Sequence, residues 1–358
     1  MQQDAPAPAP SRVVGIDVAR ALAILGMIWV NFKYQIDAAE RGPAALVWAS
    51  DRIDGRAAAL FVVLAGLGVS LRSRRVRHDP SAFGGEARAL SVRAGILFVI
   101  GMLFVHLWPW DILHAYGLYL VLAVPFLRLP TPVLWLTAAL IAPSGLVVRD
   151  WYTWPWGDTV WTPLGLIGDL WVSGLHPALP WFAFVLVGMA IGRLDLADRS
   201  TRRRLLALAL PLALITEGLG IAAIEGRWAD AWQALPRPPG PLFIAAGSAS
   251  AVAWIGLCVE ATQARARAGW VVALVATGQL AFTWYIAHAV AILVPLQHGW
   301  FDEAPLWVAL TYGAACFALA VLASLWWRRR YPLGPLEGLI RQLTGRATPA
   351  PWGGRTLV

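Results

Sequence analysis

Apolar residues run along this chain in blocks of roughly 17 to 25, the length that carries a helix across a bilayer, with short polar stretches between them. Ten such blocks can be traced, near residues 13–32, 57–71, 90–107, 112–128, 132–148, 178–193, 205–224, 241–260, 271–293 and 305–327. The pattern predicts an all-α fold: a polytopic integral membrane helical bundle of about ten transmembrane helices. No repeat of fixed period appears, which excludes a solenoid. Residues 1–11 read as a disordered tail, 12–345 as a single transmembrane domain and 346–358 as a second tail. The opening "MQQDAPAPAP" lacks the basic start and apolar core of a cleavable signal peptide, so the first helix is expected to serve as an uncleaved signal-anchor.

Composition agrees with the pattern. Of 358 residues, 58% are hydrophobic and only 14% charged, against about a quarter charged in soluble domains. The net charge of +8 points to topology rather than to nucleic acid, because the arginines cluster by loop. Arg72, Arg74, Arg75, Arg77, Arg88 and Arg93 follow span two, and Arg193, Arg199, Arg202, Arg203 and Arg204 follow span six. Arg265 and Arg267 follow span eight, and Arg328, Arg329 and Arg330 follow span ten. The positive-inside rule puts all four clusters on one side if both termini are cytoplasmic. Lys33 is the only lysine, and this Arg- and Ala-rich usage suggests a GC-rich bacterial genome. The expected location is therefore a bacterial cytoplasmic membrane. Cys258 and Cys316 both lie in apolar runs and build neither a disulfide framework nor a metal motif.

Polar residues inside the spans carry the functional signal, since a charge at the bilayer centre costs about 2.5–3.5 kcal/mol on insertion scales. Asp17 and Arg20 sit one turn inside the arginine-rich end of span one, three residues apart, and can pair on one helix face. Arg20 then either snorkels toward the headgroups or meets an anionic ligand such as a nucleotide phosphate. Asn31, at the other end of the same helix, either caps it or orients a carbonyl or hydroxyl. In "VHLWPWDILHAYGLYL" a very short turn is expected to gather His106, Asp111 and His114; Asp111 beside His114 would suit a general base. His176 opens span six on the same side, and His288 lies deep in span nine, where a cavity or a partner is expected. His78 and His298 read as solvent-exposed. The stretch 149–177, rich in tryptophan, reads as an interfacial connector or as a lid over an outward-opening site. Gly188 and Gly192 suit close helix packing. No HExxH-like spacing, P-loop, dinucleotide fingerprint or GxSxG elbow is present, and no metal is expected.

"RVVGIDVARALAILGMIWVNF" resembles the first helix of the transmembrane acyltransferases related to heparan-α-glucosaminide N-acetyltransferase. "DGRAAALFVVLAGLGVSL", "WDILHAYGLYL", "GLHPALPWFAFVLVGMAIGRLDL", "TGQLAFTWYIAH" and the tail "RRRYPLGPLEGLIRQLTG" resemble successive hallmarks of the bacterial YeiB-like branch. The resemblance implies a helical bundle that passes an acyl group, usually acetyl from coenzyme A, to an acceptor across the membrane. Asn31 matches an asparagine that in the acetyltransferase precedes an active-site histidine. The loop that follows here, "FKYQIDAAERGPAALVWASDRIDGR", contains no histidine, so His106, His114 or His176 must supply the base.

Under this reading acetyl-CoA or another acyl-CoA is the donor and docks from the cytoplasm near Asp17 and Arg20. Asn31 polarises the carbonyl, and His114 or His106 is the base, with Asp111 as orienter. His176, Trp181 and His288 bind the acceptor, an extracytoplasmic sugar, envelope glycan or small molecule, or form a lid. The expected partners are the bilayer, acyl-CoA and that acceptor, with no nucleic acid; a homodimer is left open. The alternative is a proton-coupled transporter or exporter using the same buried residues. Against it stands the expectation that no helices are interrupted in matching positions of the two halves.

Overall fold

The computed structural model describes residues 13–108, 110–148, 160–226, 228, 233–236, 239–301 and 303–345. The expected tails 1–11 and 346–358 lie outside the described residues, as do Trp151, Trp154 and Trp156 of the tryptophan-rich connector. Among the described residues every element is helical, with one isolated bridge between Pro236 and Pro239.

In chain order the helices are α1 (Val14–Gln35), α2 (Ala44–Asp51), α3 (Arg56–Arg72), α4 (Phe83–Leu107) and α5 (Leu113–Ala123). Then come α6 (Thr131–Ile141), α7 (Ser144–Val148), α8 (Pro163–Gly168), α9 (Ala178–Ile191) and α10 (Arg199–Glu225). The last are α11 (Pro241–Gln263), α12 (Gly269–Gln279), α13 (Ala281–Gln297), α14 (Leu306–Arg328) and α15 (Pro335–Leu343). Each of the ten apolar blocks corresponds to helix. Among the described residues six helices are long and apolar enough to cross a membrane, or up to eight if each of two bent pairs is one span. The fold is thus that of a polytopic helical membrane protein. The short helices α5 and α6–α7 have reasons in the sequence: Pro125 follows α5, and Pro130, Pro132 and Pro143 frame α6, where proline removes a helix donor.

α1 is the hub, packing on α3, α11, α12, α13 and α14, while α9 fills the space between α3, α6 and α11. Close approach at Gly188 explains its small side chain: a Cβ there would lie 2.0 Å from the Val63 carbonyl oxygen of α3. Gly192 meets Leu67 of α3 in the same way, as the small-residue spacing predicts. The flanks of α4, α10 and α14 turn apolar side chains outward, with Leu103, Leu214 and Leu319 all exposed. That is the surface expected of helices bathed in lipid rather than water.

The ninth block departs from expectation. Instead of one helix over 271–293, α12 and α13 meet at a 79° bend, and a second bend of 56° joins α8 and its continuation to α9. Gly278 is pressed against the α1 backbone at Asp17, where a Cβ would lie 1.9 Å from the carbonyl oxygen. Glu337 of α15 then accepts from the N–H groups of Phe282 (2.8 Å) and Thr283 (3.0 Å) and from the Thr283 hydroxyl (2.6 Å). The carboxylate replaces the carbonyls that a continuous helix would offer these donors. Residues of the break line a cavity, which is where irregular backbone is tolerated at membrane depth. The expectation of one continuous helix over 271–293 is therefore corrected.

Candidate functional site

Two cavities enter the bundle from opposite ends. The larger, about 260 Å³, lies at the arginine-rich end between the first half of α1, the second half of α3, the first half of α4, α5 and the α12–α13 break. Arg20, Arg72 and Arg93 line it, with Glu86 and Glu337, so three guanidinium groups face two carboxylates. Arg20 is paired with Asp17 at 2.6 Å and remains partly exposed toward the cavity, while Asp17 is buried. The pair expected from the spacing therefore exists, and its arginine fronts a chamber lined by charged groups of both signs.

The smaller cavity, about 80 Å³, is lined by Met27, Asn31 and Tyr34 of α1, the first turn of α3, and Trp110, Ile112, His176, Trp181 and Tyr285. The consecutive residues Ile112 and Leu113 line different cavities. Between the chambers stand three rings: Phe61 is 5.6 Å from Tyr116 and 6.2 Å from Tyr285, centroid to centroid. Phe61 and Tyr116 face the larger cavity and Tyr285 the smaller. No described residue lines both cavities; the Phe61 ring on the larger side backs onto the Tyr285 ring on the smaller.

Two buried relays hold groups of the smaller chamber in place. Asn31 Nδ2 lies 2.9 Å from His288 Nε2, and His288 Nδ1 lies 3.3 Å from the Trp284 carbonyl. The carbonyl can only accept, so Nδ1 carries the proton and Nε2 accepts from the Asn31 amide. One Asn31 N–H and its carbonyl oxygen remain for the chamber. The second relay runs from Tyr285, whose hydroxyl donates to Asp111 Oδ1 (2.9 Å) and accepts from the Ile112 N–H (3.2 Å). Asp111 Oδ2 accepts from the Leu113 N–H (2.8 Å) and lies 3.5 Å from His114 Nδ1. His114 Nε2 donates to Asp169 at 2.9 Å. All three side chains are buried.

Asp111 and His114 are thus brought together as the spacing predicts, but neither lines a chamber, and both nitrogens of His114 face carboxylates. His106 is a correction to the expected cluster. It shares the exposed face of α4 with Leu103, three residues earlier, and packs only its ring edge on Trp161 (5.8 Å). The inward face at that level belongs to Val105. His176 is the one histidine of the three that lines the smaller chamber; its ring sits 4.7 Å from buried Trp181. Among the described residues no three His, Cys, Asp or Glu side chains have the geometry to hold a metal ion; the Asp111, His114 and Asp169 contacts are spent on one another.

Sequence reasoning missed three groups here. Asp169 follows an apolar run inside the tryptophan-rich connector; its signal is a carboxylate flanked by glycines in "GLIGDLWVSG". Lys33 and Asp54 are the others. Lys33 is buried and contacts Asp54 at 2.8 Å, Asp51 at 2.9 Å and the Ser50 hydroxyl at 3.1 Å. Asp54 also accepts from the Tyr34 hydroxyl at 2.5 Å, and both line the smaller chamber. Gly55, at φ +69°, starts α3 beside Asp54, and a Cβ there would strike the Phe243 ring. The only lysine, two residues after Asn31 at the end of α1, was the available signal.

Residues 12–222 match the family described as heparan-alpha-glucosaminide N-acetyltransferase, catalytic, over more than half of the chain. The chain belongs to that family. Residues 191–347 match a second family, described as a protein of unknown function (DUF418), so the two matches together cover almost every described helix. The resemblance carried by the first-helix and C-terminal motifs is borne out by both. No curated protein matches the chain. Family membership supports a membrane acetyltransferase-type function at the coarse level, and within the first match fall Arg20, Asn31, Lys33, Asp54, Asp111, His114, Asp169 and His176.

Proposed function

We propose that the protein is a membrane acyltransferase that takes an acyl group, in the first place acetyl, from acyl-CoA at the arginine-rich end. It passes that group through the ring partition to an acceptor in the smaller chamber. The observation that carries this reading is the pair of cavities entering from opposite ends, with the rings of Phe61, Tyr116 and Tyr285 between them. Arg20, Arg72 and Arg93 suit the phosphates of a coenzyme A, since guanidinium groups bind phosphate through charge-assisted hydrogen bonds. The thin pantetheine arm then needs to reach only the Leu113–Tyr116 wall to bring its thioester to the partition.

At the partition Asn31, held by His288, offers an N–H to the thioester carbonyl as it gains negative charge. His176 and Trp181 provide a polar edge and an apolar wall for the acceptor. Asp111, His114 and Asp169 act as positioning residues: they fix Tyr285 and so the partition itself. The acceptor is a sugar or envelope glycan bearing a hydroxyl or amine, and the arginine-rich end faces the cytoplasm of a bacterial cell.

Calorimetry of the purified protein with acetyl-CoA tests the donor half. Binding is expected, with Arg20→Ala or Arg93→Ala weakening Kd by about ten- to a hundredfold, the loss of one charged hydrogen bond. No heat of binding from the folded wild-type protein would contradict the reading. The α12–α13 break, which lines the larger cavity, is the feature that favours a transport pathway instead; transport predicts movement of an intact solute rather than of an acyl group.

A further inference from the structure

The ammonium of Lys33 is 1% exposed; it forms an ion pair with Asp54 at 2.8 Å and donates to Asp51 at 2.9 Å and to the Ser50 hydroxyl at 3.1 Å. One cation against two carboxylates leaves this cluster with a net charge of minus one, in surroundings where unbalanced charge is costly. It is one proton short of neutral. The two carboxylates also differ in where they lie. Asp54 is 8% exposed and lines the smaller chamber, whereas the Asp51 side chain is 40% exposed. Lys33 therefore bridges a carboxylate inside the chamber to one in contact with the surroundings. The Tyr34 hydroxyl, stacked beside Trp110 at 5.5 Å between ring centroids, fixes the orientation of Asp54.

We propose that Asp54 is the proton acceptor of the transfer reaction, and that Lys33 and Asp51 form the route by which the proton leaves the chamber. The inference rests on the acyltransferase reading and supplies the base that no histidine provides in the loop after Asn31. As the acceptor hydroxyl or amine attacks, its O–H or N–H bond breaks and the proton passes to the Asp54 carboxylate. The freed electron pair forms the bond to the acyl carbon, the C–S bond breaks, and its pair leaves on the coenzyme A sulfur. That thiolate takes a proton in the larger cavity, so atoms and charge balance. When Asp54 is protonated Lys33 keeps Asp51 and Ser50, and the ammonium is never left without a partner. Proton loss through the Lys33–Asp51 contact then resets the cluster.

The test uses the full-length protein in detergent, acetyl-CoA as donor, and glucosamine or, without it, water as acceptor. Asp54→Asn is expected to cut acyl transfer at least about a hundredfold, the usual range for a lost general base, with acetyl-CoA affinity unchanged. Formate is expected to restore transfer to Asp54→Ala in proportion to its concentration, which a merely structural role would not allow. Asp51→Asn is expected to keep a near-wild-type first turnover and to slow later ones about tenfold, because loss of the proton from Asp54 becomes limiting. Wild-type transfer by Asp54→Asn overturns the assignment, as does a loss that formate does not rescue in a variant that still binds acetyl-CoA. A uniform rate over all turnovers of Asp51→Asn overturns the exit route. Absence of acetyl-CoA binding by the wild type overturns the acyltransferase reading, and the role of Asp54 falls with it.

Discussion

Asn31 and His114 have opposite fates in the structure. Asn31 sits at the chamber wall with one donor held by His288 and one to offer, and an oxyanion donor of this kind is worth about a hundred- to a thousandfold in rate. Asn31→Ala should therefore lower turnover by that range while acetyl-CoA binding, measured in parallel, stays intact; equal losses in both would show that the residue holds the fold instead. His114 is locked between two carboxylates. His114→Ala takes the imidazole from between two buried carboxylates, leaving Asp111 only its Tyr285 and Leu113 donors, a change that costs about 3–5 kcal/mol in stability. A lowered melting temperature, with transfer lost only in proportion to unfolded protein, is the expected result. The sequence marked both residues because polar groups in apolar runs stand out. It could not tell a chamber wall from a buried relay, since that depends on which helix faces its neighbour. His106 shows the same limit: two histidines eight apart look alike in sequence, yet one shares its face with exposed Leu103 and the other with the core.

At the level of elements, the ten apolar blocks were legible because helix length in a membrane is set by bilayer thickness. The break between α12 and α13 was not, because no proline marks it. Its cause lies far along the chain, in Gly278 against α1 and in Glu337 reaching back from α15. This gives the C-terminal "GPLE" motif a physical role, closing the exposed start of α13 beside the larger cavity. Glu337→Ala frees the N–H groups of Phe282 and Thr283 and should cost about 1–3 kcal/mol. Hydrogen exchange at Phe282 and Thr283 should rise sharply, and an unchanged exchange rate there would contradict the capping role. The Arg56–Glu217 pair (2.5 Å), with Ser250 on the same carboxylate (3.1 Å), plays a comparable part for α10 by tying this mostly lipid-facing helix to α3 and α11.

For the molecule as a whole, the chambers at opposite ends turn the split of α1 into a division of labour. Arg20, paired with Asp17, lines the larger cavity, and Asn31, Lys33 and Tyr34 belong to the region of the smaller one. A protein built this way should move an acyl group across the bilayer while both of its carriers stay on their own sides. The direct measurement is made in sealed vesicles whose protein exposes its arginine-rich end outward, with acetyl-labelled acetyl-CoA outside and glucosamine trapped within. The account predicts labelled acetylglucosamine in the lumen with coenzyme A retained outside, and with Arg93→Ala the same product only at about ten- to a hundredfold higher acetyl-CoA. Label confined to acceptors outside, or glucosamine leaving the lumen unacetylated, would contradict it.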